Sequence, residues 1–454
     1  MHPYHLRQYV PALALALVSL TNARAESPDD ASGARAAGAS ADFTDRFAVH
    51  AQATYVEQET SDFTAPYRGA NSLSPDSGRE TIDATLYLGA RLWSGAEAWI
   101  NPEIDQGSGL DDTLGLAGFP SAEAYKIGHN QPYLRWQRIF LRQVINLGGK
   151  ADSIGAAANQ FAARRSEDRW VFSVGKFSVT DIFDVNQYAH DPRSDFLNWT
   201  AIDAGTFDYA ADPWGYTVGA AAERYFGDWT VRAGMFDLSN IPNSKQLAPG
   251  FSEFQLDAEL ERRHDLIGHP GKVLLTFFDS HARMGLLAAA LALAQQTHSI
   301  PDAALVRSWR SRIGADVSLE QELTQNLGLF ARLGKAAGNV EIYEFTDVDR
   351  SVSAGLSFKG SPWRRSDDTV GLAAIMNGIS GVREAYLNAG GLGLLIGDGQ
   401  LPHPGPEKIM ETYYSIAAWE SVRLSLDYQF IANPAYNRDR GPVSVYAVRV
   451  HAQL

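Results

Sequence analysis

YAVRVHAQL, residues 446–454, ends the chain, and in it Tyr446, Val448, Val450, Ala452 and Leu454 alternate with Ala447, Arg449, His451 and Gln453 up to the last residue. A period of two belongs to a β-strand, whose successive side chains point to opposite faces. A chain that stops inside such a strand suits a sheet that closes on itself. Closure leaves no unpaired edge, and in lipid an unpaired backbone group costs several kcal/mol. An edge strand of a soluble sheet would show the same pattern, so the rest of the chain must discriminate.

The alternation recurs upstream. Phe47, Val49, Ala51, Ala53 and Tyr55 oppose His50, Gln52 and Thr54, and Ile82, Ala84, Leu86, Leu88, Ala90 and Leu92 oppose Asp83, Thr85, Tyr87 and Arg91. Trp93-Ser94-Gly95 then turns the chain into Ala96, Ala98 and Ile100 against Glu97, Trp99 and Asn101. Phe254, Leu256, Ala258 and Leu260 face away from Gln255, Asp257, Glu259 and Glu261, and similar runs start at Val352 and Val422. Stretches of about ten residues match a tilted membrane strand, whereas soluble sandwich strands average nearer five or six. Short links such as Phe226-Gly227-Asp228 alternate with long polar ones at 105–131, 150–166 and 378–408. This asymmetry is that of outer-membrane barrels, with short periplasmic turns and long extracellular loops, and the count of candidate strands predicts an all-β transmembrane antiparallel barrel of sixteen.

The N-terminus carries an address. Arg7 precedes an apolar run, 10–20, and the small-residue site Ala23-Arg24-Ala25, which predicts a cleaved signal peptide over 1–25. The run is about half of the roughly 20 residues a spanning helix needs. Cleavage removes Arg7 and Arg24 and no acidic residue, taking the formal charge from −14 to −16. Residues 26–45, rich in Ala, Ser, Gly and Asp, read as a flexible periplasmic lead-in, and 46–454 as the barrel. No later segment is long and apolar enough for a helical span, and the run at 284–294 reads as a short helix or packed loop. With 39 basic against 53 acidic residues, a nucleic-acid partner is not expected, because phosphate binding needs clustered positive charge. The chain has no cysteine, and its 11 histidines show no ligand spacing, so neither a metal nor another cofactor is expected. His50 and His451 read as lumen-wall residues.

If the apolar face meets lipid, the opposite positions line the pore, since Arg or Lys on the lipid face costs about 2–4 kcal/mol at mid-membrane. Arg91, Glu97, Trp99, Asn101 and Glu103 are pore candidates on this ground. Carboxylates and guanidinium groups can meet the hydroxyls of a sugar, and a ring such as Trp99 its C–H face. Trp99 in an interfacial girdle is the competing placement, and Glu97 with Glu103 could also be read as a glycosidase pair. Arg135, Arg138 and Arg142 do not share a face of a regular strand, so a bulge or helical turn is expected, with Arg135 reaching the pore. Asp181, Asp184, Asn186, Asp191, Arg193, Asp195 and Asn198, interleaved with Phe183, Tyr188, Phe196 and Trp199, fit a loop folded inward with Arg193 paired to a carboxylate. A surface loop held by Asx turns fits them equally well.

Five stretches carry a resemblance: HAQATYVEQ (50–58), AWINPEIDQGSGL (98–110), GKFSVTDIFDVNQYAHDPRSDFLNW (175–199), RAGMFDLSNIPN (232–243) and FIANPAYNRDRGPVSVYAVRVH (430–451). In these the chain resembles the carbohydrate-selective porins of the OprB family, over most of its mature length. The resemblance implies a sixteen-stranded barrel admitting sugars such as glucose. As a barrel passing solutes by diffusion, the chain is expected to have outer-membrane lipid and lipopolysaccharide as surroundings, with a monomer and a homotrimer both open as the assembly. It departs from the pattern at Leu454, where the assembly signal of such barrels usually has an aromatic, and in the run at 284–294. Sugar acids and other small hydrophilic solutes remain alternatives, as do a glycan-binding β-protein and an outer-membrane enzyme.

Overall fold

The alternation is realised as a closed barrel of sixteen antiparallel strands in a computed structural model that describes residues 46–124 and 128–454. The signal-peptide and lead-in segments, 1–25 and 26–45, lie outside the described residues. The first eight strands are β1 (Phe47–Thr60), β2 (Gly78–Trp93), β3 (Ala96–Gly107), β4 (His129–Ile154), β5 (Ala163–Phe177), β6 (Thr217–Phe226), β7 (Trp229–Asp237) and β8 (Phe254–Leu266). The others are β9 (His269–Gly285), β10 (Arg307–Thr324), β11 (Leu327–Ala336), β12 (Arg350–Gly360), β13 (Arg365–Gly378), β14 (Glu407–Trp419), β15 (Val422–Ala432) and β16 (Val443–Gln453). The seam joins β1 to β16, from Gln52 opposite Gln453 to Thr60 opposite Val445. Leu454 takes part in it through its backbone, exchanging hydrogen bonds of 3.0 and 2.8 Å with Ala51.

The two faces separate as the alternation requires. On β3, Glu97, Trp99, Asn101, Glu103 and Asp105 point inward and are buried, while Ile100 and Ile104 are exposed on the outside. On β15 and β16, Ser425, Asp427, Gln429, Arg449 and His451 are buried inside, while Leu426, Phe430, Tyr446 and Val448 face out. Exposed outer aromatics gather near both rims: Trp93, Trp363 and Trp419 by the short turns, Trp136 and Trp309 by the long loops. Such girdles sit at the two membrane interfaces. Among the described residues no helix is long and apolar enough to cross a membrane, so the strands do the crossing.

The reading of 150–166 as a long link is corrected. β4 continues to Ile154 and pairs with β5 as far as Ala163, making a ribbon that outruns both neighbouring strands. The ribbon projects beyond the barrel wall, so it needs no apolar outer face and shows none of the alternation that marks the other strands. The run at 284–294 splits between the end of β9 and a helix, Leu287–Thr297, in the loop before β10.

Candidate functional site

The connection between β5 and β6, residues 178–216, folds into the lumen, where its backbone groups must find partners other than water. The barrel wall supplies them. Asp184, in a left-handed conformation (φ 54°), receives the Ala204 amide at 2.6 Å and Arg332 Nε of β11 at 3.1 Å to each carboxylate oxygen. Arg332 also donates to the carbonyls of Ala189 and Ala201, both at 2.8 Å. Asn186 donates to the Leu319 carbonyl of β10 at 3.2 Å and receives the Tyr188 amide at 3.0 Å. Asn198 caps the short helix Trp199–Ile202 by accepting from the Thr200 amide at 3.0 Å, and donates to Gly118 and Gln429. Glu411 of β14 receives the Leu197 amide at 2.5 Å, and Arg449 of β16 donates to the carbonyls of Pro192 and Asp195 at 2.5 and 2.8 Å.

Beside this anchored loop lies a cavity of about 460 Å³, lined by Arg138, Arg193, Glu123, Asp181, Asp191, Asp203 and His190 among aromatic rings. Arg138 grips Asp181 through two bonds of 2.7 and 2.6 Å and lies over the Tyr216 ring at 4.9 Å. Arg193 stands 3.5 Å from Glu123, 3.8 Å from Asp83 and 3.9 Å from Glu103. Trp199 stacks on Phe119, with centroids 5.6 Å apart and planes within 5°, and meets Phe345 edge-on. Behind the cavity wall, Arg135 lies 3.4 Å over Trp214 and pairs with Asp212 at 2.9 Å.

A one-residue slip puts Arg138 there. The register of β3 with β4 shifts between Asn101–Arg138 and Pro102–Trp136, so Arg135 and Gln137 on one side of the bulge and Arg138, Phe140 and Arg142 on the other all turn inward. Bulges commonly re-aim side chains beside functional sites. Arg135 thus turns into the lumen, where Asp212 and Trp214 engage it, and Arg138 on the other side of the bulge lines the cavity.

Burial and ion pairing compete in this loop. Burial pushes the Asp181 carboxyl up, but the Arg138 guanidinium outweighs it and holds Asp181 below the ordinary carboxylate value. Burial raises Glu123 and Asp203 despite the cations beside them. His190 is raised, because Asp203 at 3.5 Å offsets the burial that would lower it. Among the described residues no group of three His, Asp or Glu side chains is placed to hold a metal ion.

The carbohydrate-selective porin family OprB matches residues 70–454. The chain belongs to that family. The high-pH structure of Pseudomonas putida OprB superposes with a TM-score of 0.69 at 14% identity, covering 92% of this chain and 97% of the other. The low-pH structure of the same protein gives 0.50 at 12% identity over 92% and 96%. The outer-membrane channel DcaP of Acinetobacter baumannii gives 0.48 at 10% identity over 90% and 97%. None of the curated protein sequences matches. OprB membership with this fold implies the outer membrane of a Gram-negative bacterium, with the short turns in the periplasm.

Within this OprB barrel the sequence-derived candidates fall into three groups. Arg193 lines the cavity, and Glu103 and Arg135 stand in contact with groups that do. Asp184, Asn186, Asp195 and Asn198 anchor the loop that forms the cavity wall. Arg91, Glu97 and Trp99 lie near the periplasmic rim, with Asn101 between the groups on the inner wall, both its amide atoms without a protein partner. Trp99 points inward, not into a girdle; Gly89 makes room for it, since a Cβ there would come within 2.6 Å of the indole. Glu97 and Glu103 are six strand residues apart, about 20 Å at 3.3 Å per residue, far beyond the 6.5–9.5 Å of an inverting glycosidase pair. Sequence reasoning missed Arg138, Glu123, Asp203 and Tyr216 as cavity residues; the arginine spacing on β4 was the signal available for the first.

Proposed function

We propose that this OprB porin passes neutral monosaccharides of glucose size by passive diffusion, with the 460 Å³ cavity as its selectivity site. The supporting observation is the composition of the lining: guanidinium and carboxylate groups, already held in place by one another, stand beside the rings of Trp199, Tyr209 and Tyr216. Hydroxyls can bond to the first set and C–H faces can rest on the second. At Arg138, already bonded twice to Asp181, a sugar exchanges one bond for another and gains little, as a solute that must leave again requires, while Arg193, 3.5 Å from its nearest carboxylate, keeps donors for a hydroxyl. The reading involves no covalent step and no enzyme activity, and it includes export through the periplasm after cleavage of 1–25. The apolar outer band would face lipid and, in the outer leaflet, lipopolysaccharide.

Sugar acids are the rival solutes, since Arg138 and Arg193 could receive a carboxylate. Four carboxylates, Glu123, Asp181, Asp191 and Asp203, stand against those two guanidiniums in the lining, which disfavours anions. Liposome swelling with glucose, an equal-sized sugar acid and a larger oligosaccharide tests the reading. Glucose is expected to swell the vesicles fastest; faster entry of the acid would replace the neutral sugar by the rival, and no swelling by folded, inserted protein would end the diffusion reading.

A further inference from the structure

Six of the links at the periplasmic end are short, among them Ser94-Gly95, Gly227-Asp228, Ile267-Gly268 and Glu420-Ser421, which shows how little chain a connection there needs. The β4–β5 ribbon is the exception. Beyond Asn146 and Arg169 its strands leave the wall, with register shifts at Gly148. Gly149, at φ 83°, bends the chain where an L side chain would be strained. Asn146 braces the bend by receiving the Ser166 amide at 3.0 Å.

The tip then re-enters the barrel. Ala157 and Gln160 close a turn through reciprocal hydrogen bonds of 3.0 Å. Arg142 of β4 donates to the Asn159 carbonyl at 2.7 Å, and Arg91 of β2 donates to the Ala162 carbonyl at 2.6 Å. Between those anchors Phe161, only 3% exposed, sits 5.1 Å from Trp99, which is itself 0% exposed, and Arg91 lies over the Phe161 ring at 4.7 Å. Trp99 lies on the inner wall near the periplasmic rim, so the tip occupies lumen that the wall alone would leave open.

We propose that the ribbon tip is a second constriction, at the periplasmic mouth, and that Phe161 is its size-determining residue. A solute leaving the cavity has to pass the space left beside Phe161, Arg91 and Arg142. Sieving at this mouth adds to whatever the cavity selects, because pore cross-section limits flux at each narrow point in series. The aromatic contact and two bonds to carbonyls hold the tip without tying it into the barrel's strand ladder. The inference rests on the channel reading above, but not on the identity of its sugar.

The test uses the full chain in three forms: the parent, Phe161→Ala, and a variant in which residues 147–168 are replaced by Asn-Gly to join β4 and β5 at the wall. Single-channel conductance in potassium chloride is measured in planar bilayers, and liposome swelling with glucose and a trisaccharide. Heat-modifiable gel mobility checks that each barrel is folded. We expect severalfold higher conductance for the shortened chain, a smaller rise for Phe161→Ala, and faster trisaccharide entry relative to glucose in both. A folded shortened chain that conducts and sieves like the parent would overturn the proposal. A conductance rise in a protein whose parent form fails to admit glucose would uphold the constriction and reject the sugar reading instead.

Discussion

The 178–216 loop and the β4–β5 ribbon both enter the lumen, from opposite ends, and they are held there differently. The loop is pinned to the inner faces of β10, β11, β14 and β16 by the buried charges of Glu320, Arg332, Glu411 and Arg449, whose partners are its own backbone groups and Asp184. The ribbon tip rests on two arginine bonds and one aromatic contact, and its own strand pairs run past the ends of β3 and β6. Removing a partner from a buried ionic clasp leaves an unpaired charge inside the protein, whereas undocking a ribbon returns its polar groups to water. The loop is thus part of the barrel's fixed interior, and the ribbon is expected to be an addition that the barrel tolerates losing.

The sharpest way to break this contrast is to remove the clasp. Arg332→Leu leaves the Asp184 carboxylate buried without its cation, and should lower stability by about 3–5 kcal/mol in denaturant unfolding of the inserted protein. The shortened ribbon variant should leave the unfolding midpoint close to the parent's. Equal losses in the two would mean that the ribbon is as much a part of the fold as the loop.

Next in size are the cavity arginines. Arg193→Ala or Arg138→Ala removes charge-assisted hydrogen bonds, worth about 1.5–3 kcal/mol each when made to a bound solute. Glucose half-saturation, read from sugar-dependent current fluctuations, should weaken by about tenfold. Arg138→Lys keeps the charge but not the two-pronged grip on Asp181, so it should recover only part of the loss. If Phe161→Ala weakens sugar binding as much as these variants do, binding is not confined to the cavity and the division between a binding loop and a sieving ribbon fails.

Asn198→Ala should cost less, about 1 kcal/mol for the lost cap of Trp199–Ile202, with some addition from its bonds to Gly118 and Gln429. Its effect on flux should follow from a looser Trp199 and should appear as reduced discrimination between glucose and the trisaccharide. An unfolding midpoint unchanged by this substitution would show that the wall anchors on Arg332 and Arg449 suffice for the loop.

The sequence made the barrel legible because lipid imposes a rule on every other side chain: the outward positions along the middle of β3, β8, β12 and β15 are apolar as alternation requires. The inward positions answer to no such rule, and there legibility falls off. The polar and aromatic density of 181–199 marked a loop with work inside the barrel, yet it could not separate Asp184 and Asn198, which anchor the loop, from Asp181, Asp191, Arg193 and Trp199, which line the cavity. The spacing of Arg135, Arg138 and Arg142 announced a slip, but not where along β4 it falls, because its position is set by the pairing with β3. The ribbon was read as a loop for a related reason: outside the lipid, neither of its faces has to be apolar.

The smallest expected effect sets the cavity against the ribbon by charge. His190 lies in the cavity lining, where Asp203 raises it above its ordinary value, so the cation is present at low pH and is lost as pH climbs through that raised value. Its loss leaves four carboxylates against two guanidiniums in the lining, and the preference for potassium over chloride should grow modestly on the alkaline side. Residues 147–168 hold no histidine, so shortening the ribbon should leave this drift in place while conductance rises. Reversal potentials in a salt gradient, taken across neutral pH, follow the charge directly. His190→Gln should flatten the profile and hold it near the alkaline value of the parent. A drift that persists in His190→Gln would move the titrating group elsewhere, and one that disappears with the shortened ribbon would place it at the periplasmic mouth.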